Sequence, residues 1–250
     1  MKIVTICQRK GGNGKSTLTL NFAAALAEQG KTVLLIDTDD QKNTTSTIPT
    51  KRPAERTVED LLFDTFASVE QVAEETCWPG IHLIAGSRTL SAAAAKLSSH
   101  KQLLKKLVYS RQYDYCLIDT SPSLNMLTIN AMCASYGIII PLSSNYYSLE
   151  GLAQTLEAYQ KVKEGLNKEL SLYGAAFVIH DGRTRLANEV HAKVQEQYPE
   201  LLCKTVIGRN IKIEEAQISK QSILSYAPED RGALQYRELT RELVLRMALA

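Results

Sequence analysis

The sequence has few cysteines, few aromatic residues and no long apolar run. Its five cysteines are scattered and include no C-x-x-C pair, which argues against a disulfide framework and against a zinc ribbon. Aromatic residues make up only 6% of the chain, so an α/β fold is favoured over an all-β sandwich. Because no stretch approaches about 18 consecutive apolar residues, we expect no membrane-spanning helix.

Charge of neither sign dominates the composition. Lys and Arg total 29 and Asp and Glu total 27, which gives a formal net charge of +2. This balance neither indicates nor excludes nucleic-acid binding, so any basic surface must come from clustering in three dimensions. Residues 1–6 become polar too early for a signal peptide, and we therefore expect a cytoplasmic protein.

Short apolar runs alternate with helical patterns along almost the whole chain. Several runs are apolar throughout, as in strands buried on both faces of a parallel sheet. The alternation predicts one doubly wound α/β domain, with a mostly parallel sheet and helices on both faces. The predicted strands are residues 3–7, 32–37, 81–85, 115–119, 137–142, 172–179 and 204–207. The predicted helices are residues 15–29, 58–67, 99–109, 125–134, 149–165, 186–198 and 230–248, and residues 43–57 are predicted to be a loop.

A glycine-rich segment lies between the first predicted strand and the first predicted helix. Its glycines allow backbone N–H groups to surround an anion, and the helix N-terminus that follows adds its dipole. Lys15 is placed to reach the terminal phosphates of a nucleotide, and the Ser16 hydroxyl is placed to bind Mg²⁺. The candidate nucleotide-binding residues of this loop are Gly11, Gly12, Asn13, Gly14, Lys15, Ser16 and Thr17.

The loop departs from the usual phosphate-binding pattern in an informative way. The pattern G-x-x-x-x-G-K-[ST] requires Gly at position 9, but the chain has Arg9 there and an additional lysine, Lys10. The sequence resembles the deviant Walker A motif of the ParA/MinD ATPases, which are P-loop NTPases. The resemblance implies that Lys10 crosses a dimer interface and touches the phosphates of the partner's nucleotide, so that Lys10 acts in catalysis together with Lys15.

Three further segments resemble that family in the same order. Residues 33–43 resemble its D-x-D-P-Q-x-N segment, which implies that Asp39 acts on the attacking water and that Asp37 lies near the magnesium shell. Residues 115–119 form an apolar run that ends in Asp119, the Walker B pattern. Residues 141–152 resemble the P…YY-[AS]-L-E-G-L stretch of partition ATPases, which adds Pro141 to the nucleotide contacts. The implied metal-site residues are Ser16, Asp37 and Asp119.

The C-terminal third resembles the DNA-partition branch of the family. Residues 181–186 resemble its D-x-R-T-x-L segment, and residues 207–216 resemble its I-P-R-x-x-[RK]-x-x-E-A segment. Positive side chains in these segments are candidates for contacts with DNA phosphates. The candidates are Arg183, Arg185, Arg209, Lys212 and Lys220, of which Arg209 is also a candidate for the base pocket.

The resemblance implies a slow ATPase that uses Mg²⁺ and forms a homodimer in its ATP state. It also implies binding to double-stranded DNA without sequence preference, stimulation by a ParB-type partner, and association with the nucleoid. The alternative is a MinD-like, membrane-associated ATPase that positions the division site. The last predicted helix mixes Arg and Glu on its polar side, unlike a basic membrane-binding tail. We therefore expect it to pack on the core, without stable membrane association.

Three departures from the family pattern bear on hydrolysis. Asp40 stands where the family usually has Pro and adds a negative charge beside Asp39. Ser121 and Gly208 also replace prolines, which removes backbone restraint from loops near the nucleotide. A nucleotide-gated DNA binder that hardly hydrolyses ATP is thus a second alternative. Because the phosphate-loop strand begins at residue 3, we expect no helix-turn-helix before it.

Overall fold

The computed structural model describes residues 1–97, 99–108, 110, 112–145 and 147–250. In this part of the chain a seven-stranded sheet has the order β3-β4-β2-β5-β1-β6-β7. The strands are β1 (Lys2–Ile6), β2 (Val33–Thr38), β3 (Glu74–Glu75), β4 (Ile81–Ile84), β5 (Tyr115–Thr120), β6 (Gly137–Ser143) and β7 (Ser171–Ile179). All neighbouring pairs are parallel except β3–β4, which is antiparallel. The predicted doubly wound α/β fold is confirmed.

Helices connect the strands and cover both faces of the sheet. The long helices are α1 (Lys15–Glu28), α7 (Met126–Ala134), α8 (Tyr147–Gly165), α9 (Arg185–Gln197), α10 (Ile211–Ile218) and α12 (Arg231–Leu249). The short helices are α2 (Asn43–Thr47), α3 (Val58–Phe63), α4 (Val69–Val72), α5 (Leu90–Ala93), α6 (Gln102–Leu107) and α11 (Ile223–Tyr226), and a 3₁₀ turn spans Ala94–Lys96.

Alternate residues of the central strands enter different hydrophobic clusters. In β2, Val33 and Leu35 pack in the cluster that contains buried residues of α1 and α12. Leu34 and Ile36 pack in the cluster that contains α3, α6 and α7. Because successive strand side chains point to opposite faces, an apolar run with no alternation is what a sheet covered on both sides requires.

Two predicted assignments are wrong. Residues 204–207 do not form a strand: they lie beside β7 through single backbone bonds, such as that from Ile207 N to Phe177 O at 2.8 Å, without a continuous ladder. The predicted loop 43–57 begins with helix α2, in which Thr44 is buried. Helices α10 and α11 and strand β3 were not predicted. The end of the predicted helix 99–109, Tyr109, lies outside the described residues.

The topology brings the ends of four strands together. β1, β2, β5 and β6 are parallel and adjacent, so their carboxyl ends meet at one edge of the sheet. In such folds ligands bind at this edge.

Candidate nucleotide site

The loop between β1 and α1 has the shape of a phosphate cradle. Gly12 and Gly14 both have φ of +74°, in the left-handed region that favours glycine. A Cβ on Gly14 would lie 2.8 Å from Val178 Cγ2, so a side chain there would collide with β7. The loop therefore requires glycine at position 14 for its backbone conformation and for its close packing.

Lys15 is buried at the start of α1, with 7% of its surface exposed. Its Nζ donates a hydrogen bond to the carbonyl oxygen of Lys10 at 3.3 Å, which spans the loop. Burial lowers the pKa of Lys15, and the negative charges of Asp119 and Asp39 oppose this shift. The ammonium group thus lies inside the cradle with acidic groups near it.

Asp37 and Asp119 are cross-strand partners at the carboxyl ends of β2 and β5. Both are fully buried. Burial and the neighbouring charge of Asp37 raise the pKa of Asp119 to about 7. Thr44 donates a 2.7 Å hydrogen bond to Asp119 Oδ2, and Thr45 donates to Asp37 Oδ2 through its backbone N–H and its hydroxyl. Helix α2, which was predicted as loop, therefore holds the two carboxylates.

Asp39 lies on the loop after β2 and reaches the cleft between this loop and the glycine-rich loop. Its Oδ1 accepts a 3.1 Å hydrogen bond from the backbone N–H of Gln41. Burial raises the pKa of Asp39, while Lys15 lowers it and Asp40 raises it further. The arrangement leaves Asp39 with its carboxyl group at the cleft wall.

The cleft has a volume of about 450 Å³. Seven predicted site residues line it: Gly11, Gly12, Gly14, Lys15, Ser16, Thr17 and Asp39. Residues that were not assigned a role also line it: Gln41, Asn43, Thr47, Pro122 and Gln217. Gln217 is the most distant in sequence, and no pattern near the glycine-rich loop pointed to it.

Three predicted nucleotide contacts do not line this cleft. Asn13 is buried under the loop, where its Oδ1 accepts hydrogen bonds from Ser143 and Ser148. The carbonyl oxygen of Pro141, inside β6, accepts a 3.5 Å hydrogen bond from Gln8. Arg209 is exposed on the segment before α10. Asn13 and Pro141 thus support the loop from below rather than face the cleft.

The polar side-chain atoms buried at the site bear on how a metal ion binds there. Asp119 Oδ1 and Asn13 Nδ2 are buried, and neither has a hydrogen-bond partner in the part of the chain that the structure describes. Within the described residues no group of three or more His, Cys, Asp or Glu side chains could hold a metal ion alone. These features fit an Mg²⁺ ion held mainly by phosphate oxygens, water and the Ser16 hydroxyl, since Mg²⁺ keeps several waters and uses few protein ligands.

Lys10 is directed away from the cleft formed by its own loop. Its Nζ lies 3.8 Å from the centre of the Tyr147 ring at the start of α8. Lys10 is absent from the residues that line the cleft, although Gly11 and Gly12 are among them. The second lysine of the loop is thus turned toward α8.

The comparisons with known proteins agree with this geometry. A protein-family model described as an AAA domain matches residues 1–172. The chromosome-partitioning ATPase Soj of Thermus thermophilus is 37% identical, over 98% of this chain and 96% of that protein. The sporulation initiation inhibitor protein Soj of Bacillus subtilis is 38% identical, over 97% of this chain and 98% of that protein. The chain belongs to the ParA/MinD family of ATPases.

A solved structure supports the same nucleotide chemistry. The cobyrinic acid a,c-diamide synthase of Mycobacterium smegmatis, with bound ADP and magnesium, superimposes with a TM-score of 0.84 at 26% identity. The match covers 99% of this chain and 96% of that one. This ParA/MinD chain is therefore an ATPase that uses ATP and Mg²⁺, and the glycine-rich loop, Ser16 and the unpartnered Asp119 oxygen provide a fitting site.

The predicted DNA-contact residues of this ParA/MinD ATPase are exposed, and three of them are ion-paired. Arg183 pairs with Asp181 at 2.8 Å, Arg185 with Glu189 at 2.7 Å, and Lys212 with Asp230 at 3.3 Å. Asp181 is also near the charge of Arg209, and the N–H of Arg209 donates to the carbonyl oxygen of His180 at 2.9 Å. Arg183 and Arg209 thus share one region. Lys220 lies apart, where its carbonyl oxygen accepts from Trp78 Nε1.

All three departures from the family pattern have local partners, and the Ser121 hydroxyl shares a 2.8 Å hydrogen bond with that of Ser123. Asp40 accepts hydrogen bonds from Ser91 at 2.6 Å and from the Gln41 side chain, and these bonds lower the pKa of Asp40. The N–H of Gly208, which proline would lack, donates to Gln235 Oε1 at 3.1 Å.

The terminal helix α12 packs on the core. Leu239, Leu243 and Met247 are buried in the cluster that also contains α1 and β7. Leu234, in the first turns of the same helix, is half exposed. Among the described residues, none of the helices has the length and apolar character needed to cross a membrane. The apolar stripe of α12 is therefore mostly occupied by the protein's own core.

Proposed function

We propose that this chain is a DNA-segregation ATPase for a chromosome or plasmid. In this proposal the ATP-bound chain forms a sandwich homodimer that binds double-stranded DNA without sequence preference, and a ParB-type partner stimulates hydrolysis. Two relatives named Soj, one of them a chromosome-partitioning ATPase, match almost the whole chain at 37% and 38% identity. The protein would then be cytoplasmic and associated with the nucleoid.

The orientation of the Lys10 side chain is the main structural support for the proposal. The lysine belongs to the phosphate loop, yet it contacts Tyr147 rather than its own cleft. A positive group that is turned away from its own cleft is available to serve the nucleotide of a second protomer. Supplied in this way, Lys10 would stabilise negative charge on the transferred phosphoryl group in the manner of an arginine finger, and turnover would depend on dimerisation.

The remaining site residues have separable roles in hydrolysis. The backbone N–H groups of the loop and the Lys15 ammonium neutralise phosphate charge. Asp39, at the cleft wall, orients and polarises the attacking water. Asp119, whose Oδ1 has no hydrogen-bond partner among the described residues, would help to hold the hydrated metal ion. Mg²⁺, when bound, neutralises charge on the phosphate oxygens.

The exposed basic residues on the segments 181–186 and 207–212 would contact DNA phosphates. Phosphate contacts need positive charge on one surface and no base-specific geometry. Arg183 and Arg209 are close enough to act on the same carboxylate, Asp181. Dimerisation would double this basic surface. Because the proposed dimer forms in the ATP-bound state, the affinity for DNA would depend on ATP.

The decisive experiment measures binding to arbitrary duplex DNA with ADP–Mg²⁺ and with ATP–Mg²⁺. We expect binding only with ATP, weakening with added salt, and loss of binding in Lys10→Ala. The matched control is Lys31→Ala, since Lys31 is exposed after α1 at the opposite edge of the sheet, and it should bind as the wild type does. ATP-dependent dimers that bind no DNA would overturn the proposal.

The same protein would then be tested with vesicles that contain anionic lipid, the surface expected for a MinD-like ATPase. We expect no ATP-dependent vesicle binding, because α12 buries Leu239, Leu243 and Met247 in the core. Vesicle binding without DNA binding would favour the membrane-associated function instead.

A further inference from the structure

Helix α10 contributes a polar side chain to the nucleotide cleft from 200 residues away. Gln217 Nε2 donates a 2.7 Å hydrogen bond to Thr17 Oγ1, and both residues line the cleft. Thr17 follows Ser16 in the first turn of α1, where phosphate-binding groups converge. The contact therefore joins the phosphate loop directly to a helix of the C-terminal third.

The direction of this hydrogen bond determines where the Thr17 proton can go. A threonine hydroxyl has one proton to donate and two lone pairs to accept. The Gln217 amide occupies a lone pair, so the proton is left for another acceptor. Among the described residues, the Thr17 hydroxyl has no hydrogen bond other than the one from Gln217. A phosphate bound in the cleft would offer an oxygen as that acceptor.

The position of Gln217 is fixed by the packing of α10. Asn210 caps this helix by accepting a hydrogen bond from Lys212 N. Ile213 and Ala216, on the inner side of α10, are buried in the cluster that includes residues of α1 and α12. Because Ala216 precedes Gln217 and is only 1% exposed, the amide is attached to a well-anchored backbone.

We propose that Gln217 is a positioning residue for nucleotide binding, which orients the Thr17 hydroxyl so that its proton faces a phosphate oxygen. The residue acts through Thr17 and is not itself required to touch the nucleotide. The inference concerns the ATPase site alone and is independent of DNA binding.

The test compares Gln217→Glu and Gln217→Ala by titration calorimetry with ADP–Mg²⁺. A carboxylate accepts hydrogen bonds only, so Gln217→Glu takes the Thr17 proton for itself and reverses the bond. We expect the Kd to rise about 3- to 10-fold in Gln217→Ala, the equivalent of one lost neutral hydrogen bond. We expect a larger increase, above about 10-fold, in Gln217→Glu.

Gln217→Glu keeps a hydrogen bond between α10 and Thr17, so it separates orientation of the hydroxyl from simple attachment of α10 to α1. A double-mutant cycle separates orientation of the hydroxyl from the added charge of Gln217→Glu. Thr17→Val keeps the side-chain shape but removes the hydroxyl. In that background we expect Gln217→Ala to change the Kd by less than about 2-fold, and the effect of Gln217→Glu to shrink to charge repulsion. Equal effects with and without the hydroxyl would overturn the proposal, as would Gln217→Glu that binds ADP like the wild type. Thermal unfolding of each variant without nucleotide checks that it is folded.

Discussion

The ammonium group of Lys10 lies 3.8 Å above the ring of Tyr147, which makes a cation–π contact within one chain. The two residues come from the phosphate loop and from the start of α8. Gly151, one turn along α8, allows this approach, because a Cβ there would lie 2.9 Å from Gln8 Oε1 and 3.4 Å from Lys10 Cβ. The contact competes with any interaction that Lys10 makes with a second protomer.

Removing the ring should therefore strengthen ATP-dependent dimerisation. We expect Tyr147→Leu to lower the dimer Kd in ATP–Mg²⁺ about 2- to 5-fold, the equivalent of an exposed cation–π contact. Tyr147→Phe keeps the ring and should match the wild type. Sedimentation velocity at several protein concentrations measures the effect. Weaker dimers in Tyr147→Leu would show that the ring instead holds Lys10 ready for its partner.

The buried Asp37–Asp119 pair predicts a pH-dependent stability of the nucleotide-free protein. The folded-state pKa of Asp119, about 7, lies above its ordinary value of 3.8. The stabilising contribution of the protonated form is therefore complete below pH 3.8 and is lost as pH rises through about 7. We expect unfolding free energy to fall by about 2–4 kcal/mol over this range from this group.

Asp119→Asn should remove this loss of unfolding free energy with rising pH, because the asparagine amide bears no charge at any of these pH values. Urea unfolding at several pH values in the presence of a chelator measures the difference between the variants. Contributions from groups that are common to both proteins cancel in the difference. A constant difference between wild type and Asp119→Asn across the pH range would contradict the prediction.

The parts of the fold that were predicted are those with a local signal. Strands such as β2 and β5 are continuous apolar runs, which the buried sheet requires. Residues 204–207 contain the β-branched residues Thr205, Val206 and Ile207, which favour strands. They lie beside β7 with single bonds rather than a ladder, and composition does not distinguish the two cases. Helix α2 was missed because Thr and Ser are poor helix formers; its position is set by the bonds that Thr44 and Thr45 make to buried carboxylates.

The residues of the candidate site also divide into those with a local sequence signal and those without one. The glycine-rich loop and Asp39 were predicted because the chemistry depends on neighbouring residues in the sequence. Gln217 and Pro122 were not predicted, because they reach the cleft only through the packing of distant segments. Pro141 was predicted from the same resemblance, but in the structure its carbonyl oxygen faces Gln8.

Gly208 stands where the family has proline, and the structure predicts the cost of restoring that proline. Gly208→Pro removes the N–H that donates to Gln235 Oε1, so we expect a loss of about 1–3 kcal/mol in unfolding free energy. Gly208→Ala is the matched control, because it keeps the N–H and its Cβ would meet no atom closer than 3.8 Å. Urea denaturation compares the two. Equal stability of both variants would show that the Gln235 bond contributes little.

The ion pair of Arg183 with Asp181 gives the most specific prediction for DNA binding. Two hydrogen bonds from Arg183, at 2.8 Å each, together with the charge of Arg209, lower the pKa of Asp181 to about 2. Asp181 is thus ionised at neutral pH, and in the proposed DNA complex its negative charge would oppose the DNA phosphates beside two positive residues. We expect Asp181→Asn to strengthen ATP-dependent DNA binding and Arg183→Ala to weaken it. A plot of log K for DNA binding against log salt concentration should become less steep by about 1 for each DNA phosphate that the variant no longer binds.

Fluorescence anisotropy with labelled duplex DNA at several salt concentrations measures both changes. Lys168→Ala is the control, because Lys168 is exposed before β7, at the end of that strand away from Asp181, and its salt slope should equal that of the wild type. If Arg183→Ala lowered affinity equally at all salt concentrations, Arg183 would act through the fold of the 181–186 segment. An unchanged affinity and slope would place the DNA surface elsewhere and leave the Arg183–Asp181 pair as a surface ion pair of small energetic value.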